Sequence, residues 1–287
     1  MDVTSQRSTL DDRPLGKAER ARFFVSERHG GLECLEATFR THVYAPHAHE
    51  TFVVGTVVAG CETFLCRGAR HYVGPDDLTF VNPLEVHDGE PFEDGYSYRM
   101  SYPTVDFVAA AAREVAGEAS ARMPYFAQPC VRDPEGAALF VQAHRLLDQG
   151  EDALAGDEAL LGVMALLVAR HGGVRPRSLG QEAAPVKRAQ ALIDDRFADD
   201  LSLDDLAAAA GLPRHLLIRA FRRETGATPH SYLVNRRVLE ARSLLRSGVS
   251  PAEAALAVGF FDQSHLTRAF KARHGVTPGA YRAAFRH

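Results

Sequence analysis

The sequence predicts an α+β chain: a β-rich barrel first, a helical segment after it, and an all-α region with two helix-turn-helix units at the end. Three observations lead there. Short β-prone runs separated by turn residues crowd the stretch from about 20 to 103. Segments rich in Ala, Leu and Glu with helical spacing follow at 104–118, 134–149 and 152–171. The last hundred residues then repeat one helical pattern at a fixed offset. The implied division is a barrel over 1–103, a helical packing or dimerisation segment over 104–171, a linker over 172–184 and a two-unit helical domain over 185–287.

In the first part, Phe52–Val58, Thr63–Cys66, His71–Val73 and Leu78–Val81 read as strands, and Ala59-Gly60, Arg67-Gly68 and Gly74-Pro75-Asp76-Asp77 as the turns between them. Many short strands at close spacing fit a barrel or sandwich better than a parallel sheet. Tyr96, Tyr98, Met100 and Tyr102 share one strand face, either as packed core or as the aromatic wall of a ligand pocket. After Pro103 the period changes, and Leu160, Val163, Met164, Leu167 and Val168 form a helical stripe. The Gly- and Arg-rich stretch 172–180 reads as a linker.

A chain of 287 residues with 46% hydrophobic content is long enough for two domains. Its first 22 residues are polar, and its longest apolar run, Leu160–Ala169, is short of the ~20 residues that span a bilayer. A cytoplasmic protein with no membrane partner is expected. Cys34, Cys61, Cys66 and Cys130 are irregularly spaced and read as free thiols, with Cys61 and Cys66 as ordinary strand residues. The charge is divided unevenly: residues 182–287 carry sixteen basic and eleven acidic residues, a net of +5, while 1–181 carry a net of −9. A basic tail domain on an acidic protein fits a polyanionic partner.

The duplication is explicit. Arg219-Ala220-Phe221-Arg222, Gly226, Thr228, Pro229 and Tyr232 recur forty-nine residues later as Arg268-Ala269-Phe270-Lys271, Gly275, Thr277, Pro278 and Tyr281. Each copy opens on a capping-box pattern, Ser202 with Asp205 and Ser250 with Glu253. A short helix follows, then a Gly-containing turn, then a second helix, Arg214–Thr225 or the stretch from Asp262 to His274. Leu217 and Phe221, like Leu266 and Phe270, lie one turn apart for burial. The other faces offer Arg214, His215, Ile218, Arg219 and Arg222 in the first copy, and Gln263, His265, Thr267, Arg268 and Lys271 in the second. Arg and Gln can read guanine and adenine edges bidentately, and Ile or the Thr methyl can pack on thymine. A helix from about Ser231 to Ser247, with Val234, Val238, Ala241 and Leu245 as its apolar stripe, is expected to join the copies. Its length of roughly 26 Å could set two recognition helices in successive major grooves of double-stranded DNA.

The block from about Ala189 to Phe285, and above all Gly259-Phe260-Phe261-Asp262-Gln263-Ser264-His265-Leu266-Thr267-Arg268-Ala269-Phe270-Lys271 followed by Gly275-Val276-Thr277-Pro278-Gly279-Ala280-Tyr281-Arg282, resembles the DNA-binding domain of AraC/XylS regulators. The resemblance covers about a third of the chain. It implies base or backbone contacts from His215, Ile218, Arg219, Arg222, Gln263, Ser264, His265, Thr267 and Arg268. Ile218 departs from the pattern, since many relatives have a polar residue there. The β-rich region resembles the cupin-like barrel with which such regulators sense a ligand, from Pro46-His47-Ala48-His49-Glu50 to Val81-Asn82-Pro83-Leu84-Glu85-Val86-His87. His47, His49, His87 and Tyr98 are the candidate pocket residues. In metal-binding cupins a comparable His set converges inside the barrel, so His47, His49 and His87 are possible metal ligands as well as polar pocket lining. The carboxylate expected soon after His49 is absent from Thr51 to Gly55, Glu50 points to the other face, and Leu84-Glu85 stands where a Gly is expected.

The resemblance implies a small-molecule-responsive activator of transcription, a homodimer that contacts promoter DNA, an effector and RNA polymerase, with no cofactor and no catalytic role. A metal-dependent cupin enzyme with a DNA-binding tail and a regulator controlled by partner contacts are the alternatives.

Overall fold

The computed structural model describes residues 16, 18–117, 122–177 and 182–285. Residues 1–15 of the polar N-terminal stretch and 178–181 of the expected linker lie outside the described residues. The chain divides into two compact units, Met1–Gln149 with Ala159–Arg177, and Gly150–Glu158 with Ser178–His287.

The first unit is built on an eight-stranded sheet: β1 Arg20–Ser26, β2 Leu32–Phe39, β3 Tyr44–His47, β4 Val53–Cys66, β5 Ala69–Val73, β6 Asp77–Val81, β7 His87–Tyr102 and β8 Cys130–Arg132. The hydrogen-bonded path runs β1-β2-β7-β4-β6-β8, with β3 added to β7 and β5 to β4, and its pairs are antiparallel. The path does not close on itself, so the expected barrel is a wrapped sheet rather than a hydrogen-bonded ring. Alternation along β2 and β7 explains how it wraps. Leu35, Ala37 and Phe39 stand opposite Met100, Tyr98 and Tyr96 and join Tyr44, Val53, Val57, Phe64 and Val81 in one buried cluster from six strands, without a helix in it. A face that buries itself in this way must curl round its own side chains.

The opposite face takes the helices α1 Val105–Ala116, α2 Pro134–Gln149 and α3 Ala153–His171. Leu32, Cys34, Phe52, Val54, Leu78 and Phe80 of the sheet pack there with Val108, Ala112, Phe140, Leu160, Val163, Met164, Leu167 and Val168. The stripe read for residues 160–168 is thus the stripe that is buried. One ionic knot sits on this face. Arg99 donates to Nδ1 of His144 at 2.9 Å and pairs with Glu36 at 3.0 Å, so the imidazole keeps its hydrogen on Nε2, 3.2 Å from the Met100 carbonyl.

The helices fall on the expected stretches 104–118, 134–149 and 152–171, and between the first two a strand that was not expected extends the sheet, with Cys130 and Val131 paired to Thr79 and Leu78. That strand lacks the length and alternation that reveal a strand in sequence. One expectation is corrected. Ala59-Gly60 do not form a turn. The chain passes straight through them as one strand of fourteen residues, β4, with register shifts between Val57 and Ala59 and between Gly60 and Cys61. Gly60 makes this possible with φ +76, and a Cβ on it would stand 2.0 Å from the Gly95 carbonyl oxygen.

The second unit is helical: α4 Ala183–Arg196, α5 Leu203–Ala210, α6 Arg214–Thr225, α7 Pro229–Arg246, α8 Pro251–Ala257, α9 Gln263–His274 and α10 Pro278–Ala283. Both capping boxes form, Ser202 with Asp205 and Ser250 with Glu253. In the second copy Val234, Val238, Ala241 and Leu245 of α7 pack with Ala254, Ala255, Phe260, Leu266 and Phe270. Buried Arg237 of α7 ties down the stretch between α4 and α5, donating to the carbonyls of Phe197 (2.7 Å) and Asp199 (2.8 Å). Among the described residues no helix is long and apolar enough to cross a membrane.

Candidate nucleic-acid interface and sensor cavity

Each copy of the duplication ends in an amphipathic helix whose inner side anchors it and whose outer side is polar. In α6 the inner stripe is Leu216, Leu217, Ala220 and Phe221, all buried. Arg214 and Arg219 are half-buried and Arg222 is exposed. Arg214 reaches Asp204 at 3.5 Å. Two of the expected contact residues are buried in the structure: His215 is 3% exposed and Ile218 9%. The two are three residues apart and lie side by side on the helix, and an Ile with no polar group gains by leaving water, so both are covered together.

In α9 the inner residues are Leu266, Ala269 and Phe270. Gln263, Ser264, Arg268 and Lys271 are exposed, while His265 and Thr267 are half-buried. Asp262 caps the helix by accepting from the His265 amide at 2.7 Å, and Thr267 bonds back to the Gln263 carbonyl at 2.8 Å. More of the expected contact residues are exposed on the second helix than on the first.

An acidic segment lies against this unit. Gly150–Glu158, which leads into α3, groups with it. Glu151 pairs with the guanidinium of Arg268, Asp152 accepts from His230 Nε2 at 2.9 Å, and Glu158 accepts from the His230 amide at 2.9 Å. Burial alone would raise the Asp152 carboxyl, but His230 holds it down to about 2. His265 stands 4.0 Å from the same carboxylate, and burial pushes its own pKa down. No local pattern signals that Arg268 meets a carboxylate 117 positions away.

In the first unit, His47, His49, His87 and Tyr98 line one cavity of about 30 Å³, together with Tyr44, Glu62 and Asp88. β3 carries His47 opposite His87 of β7 in register, and the ring centroids lie 4.5 Å apart for His47 and His87, 4.8 Å for His47 and His49 and 5.2 Å for His49 and His87. One ring nitrogen from each of the three lies within 4.8 Å of the others. His47 Nδ1 donates to the Ala45 carbonyl at 2.7 Å, and His87 Nδ1 to that of Glu85 at 3.0 Å. Burial lowers the pKa of His47, and burial with the neighbouring His47 brings His87 down to about 4, so both rings are neutral near pH 7. The Tyr98 hydroxyl meets that of Tyr44 at 3.0 Å. Tyr98, Met100 and Tyr102 are thus core residues whose edges reach the cavity, which joins the two readings of that strand.

Glu62 escaped the sequence reading. It is the one charged residue of β4, it is 6% exposed, and burial pushes its carboxyl up to about 8. Before the bulge the odd-numbered Val53 and Val57 face the inner cluster; after it the even-numbered Phe64 and Cys66 do. Strict alternation would have turned Glu62 outward. Just outside the cavity, and sharing His87 and Asp88 with it, lies a groove of about 410 Å³ lined also by Pro46, Leu65, Arg67, Gly68, Glu85 and Val86.

Comparison with known proteins assigns both units. The profile of the AraC-like ligand binding domain matches residues 29–164, and that of a helix-turn-helix domain matches 206–284. The chain is 31% identical over 223 residues to the HTH-type transcriptional regulator YbfI of Bacillus subtilis (strain 168), which covers 77% of this chain and 80% of that one. It is 30% identical over 133 residues to the HTH-type transcriptional activator RhaS of Escherichia coli (strain K12 / DH10B), over 45% of this chain and 48% of RhaS. The crystal structure of a probable AraC family transcriptional regulator from Rhodopseudomonas palustris CGA009 is similar at 23% identity over 36% of this chain and 98% of its own, with a TM-score of 0.35. The chain belongs to the AraC family of DNA-binding helix-turn-helix transcriptional regulators.

Proposed function

We propose that this regulator activates transcription in response to a small molecule, with α6 and α9 as its two readers of one promoter site. A single observation carries the reading: two in-phase recognition helices, each fixed by its own buried Phe, are joined by the 18-residue helix α7. At the helical rise α7 is about 27 Å long, which with flanking turns suits two major-groove entries ~34 Å apart. Gln263, Arg268 and Arg219 suit purine edges, while Arg214, Arg222, Ser264 and Lys271 suit phosphates. His265 and Thr267 stand at the rim of the second reader.

The effector side of the proposal rests on the groove beside His87. Its volume lies within the ~300–1,000 Å³ usual for small-ligand sites, and Arg67, Glu85 and Asp88 supply polar groups to a mostly apolar lining. The inner cavity behind His47, His49, His87 and Tyr98 is too small for an organic effector as it stands. Effector binding would alter the promoter occupancy of the readers through its differential affinity for two states of the protein. A homodimer and contact with RNA polymerase complete the proposal.

In-vitro selection of duplexes from a random pool with the purified full chain tests the reading. The expected result is two different short motifs centred about 10–11 base pairs apart. A single motif, or no enrichment over the pool, refutes it.

A further inference from the structure

We infer that Phe261 is a further specificity-determining residue, its ring packing on the C5-methyl group of a thymine in the major groove that α9 enters. The inference deepens the regulatory reading and rests on α9 as the second reader.

A lone apolar side chain on a protein surface means little by itself. The place of this one gives it meaning. Phe261 is 70% exposed, the most exposed of the large apolar side chains among the described residues. It directly precedes Asp262, the N-cap of α9. An apolar residue there ordinarily folds back on the fourth residue of the helix, here Leu266, and fixes the entry of the chain. That task is already filled. Leu266 is fully buried in a cluster that includes Val258 and Phe260, and Phe260, itself 2% exposed, lies edge-on to His265 with 5.0 Å between ring centroids. The covering is done one residue early, and Phe261 is turned outward. In the first copy the residue before the N-cap Pro213 is Leu212, which is half-buried. The outward ring therefore distinguishes the second reader from the first.

The backbone fixes where the ring stands. Asp262 is fully extended, with φ −154 and ψ 178, and its carboxylate is held by the His265 amide at 2.7 Å. Extended chain advances ~3.3–3.6 Å per residue, so the Cα atoms of Phe261 and Gln263 stand about 7 Å apart. That is roughly two base-pair steps of a duplex with ten pairs in ~34 Å. The N-terminal end of a recognition helix is the end that meets base edges. Gln263 and Ser264 are exposed at that end, so Phe261 extends a polar reading surface by one apolar group. Residues 182–287 carry the net charge of +5 that draws a polyanion to this unit. A phosphate asks for a donor and gains nothing from a phenyl ring. The thymine methyl is the apolar group that a major groove offers on its base edges, and covering it removes apolar surface of both partners from water.

The test replaces each thymine of the selected duplex in turn by deoxyuridine, which lacks only the methyl. Fluorescence anisotropy measures Kd for the full chain and for its Phe261→Ala and Phe261→Ser variants. At one thymine, deoxyuridine should weaken binding by the unsubstituted chain about fourfold, the worth of one buried methyl. The same replacement should leave both variants unaffected. At every other thymine the three proteins should respond alike. Both variants should melt as the unsubstituted chain does, because the ring supports no core. A duplex in which no thymine is methyl-sensitive for the unsubstituted chain would overturn the inference, and so would folded variants that keep the same sensitivity. A selection that enriches no motif refutes the reader assignment itself; two motifs with an unchanged deoxyuridine response overturn the role of Phe261 alone.

Discussion

Replacing Arg268 by Ala isolates the second reader. The side chain is 59% exposed on α9 and pairs with Glu151, itself 45% exposed. A pair this open to solvent is worth only ~0.2–1 kcal/mol. A bidentate contact from Arg to a guanine edge is worth about 1–3 kcal/mol. Arg268 must leave Glu151 before it can reach a base, so the net loss on the selected duplex is the difference, at most about 2.8 kcal/mol, or up to about 100-fold in Kd. Fluorescence anisotropy against the selected duplex and a scrambled one of equal length measures it. The loss should fall on the selected duplex, and preference should relax at one base pair. Glu151→Gln should tighten binding by about 1.4–5-fold, the worth of the surface pair, and should do nothing in the Arg268→Ala background. An equal loss on both duplexes would show that Arg268 touches only phosphate. A Glu151→Gln effect that survives without Arg268 would show that the carboxylate acts through general charge instead.

Two further outcomes concern the sheet unit. His144 is held down to about 4, by burial first and then by Arg99. Between pH 6.5 and 4 the unfolded chain binds the proton and the folded chain does not, so His144 contributes stability above 6.5 that is lost as pH falls towards 4, at most about 3 kcal/mol. Thermal melting across that range should show a shallower fall for His144→Gln, and parallel profiles would contradict this. Gly60 and Gly68 share φ +76, but a Cβ meets backbone 2.0 Å away at Gly60 and nothing within 4 Å at Gly68. Gly68→Ala should cost about 1–2 kcal/mol from conformation alone, and Gly60→Ala clearly more; equal melting losses would refute the close approach.

How much could be read beforehand depended on whether a signal was local. Capping boxes, the forty-nine-residue repeat and the stripes of α3 and α7 are short-range patterns, and they recur in the structure at the expected residues. The convergence of His47 and His87 was legible through the resemblance, and β-register brings it about. Glu62 was hidden because a bulge changes the phase of a strand without marking the sequence on either side. The strand Cys130–Arg132 was hidden because three residues carry no period. The burial of His215 and Ile218 was not legible because exposure on a helix depends on what lies against it, which no helical wheel contains.

The two reader helices differ: Arg214–Thr225 reads RHLLIRAFRRET, and Gln263–His274 reads QSHLTRAFKARH. Paired identical subunits see the same thing from either end of a palindrome. A chain that reads DNA with two unlike helices on one rod does not, so the proposed operator would have a head and a tail. Inverting such a site in front of a gene would leave its affinity intact while exchanging which of the two helices lies nearer the gene.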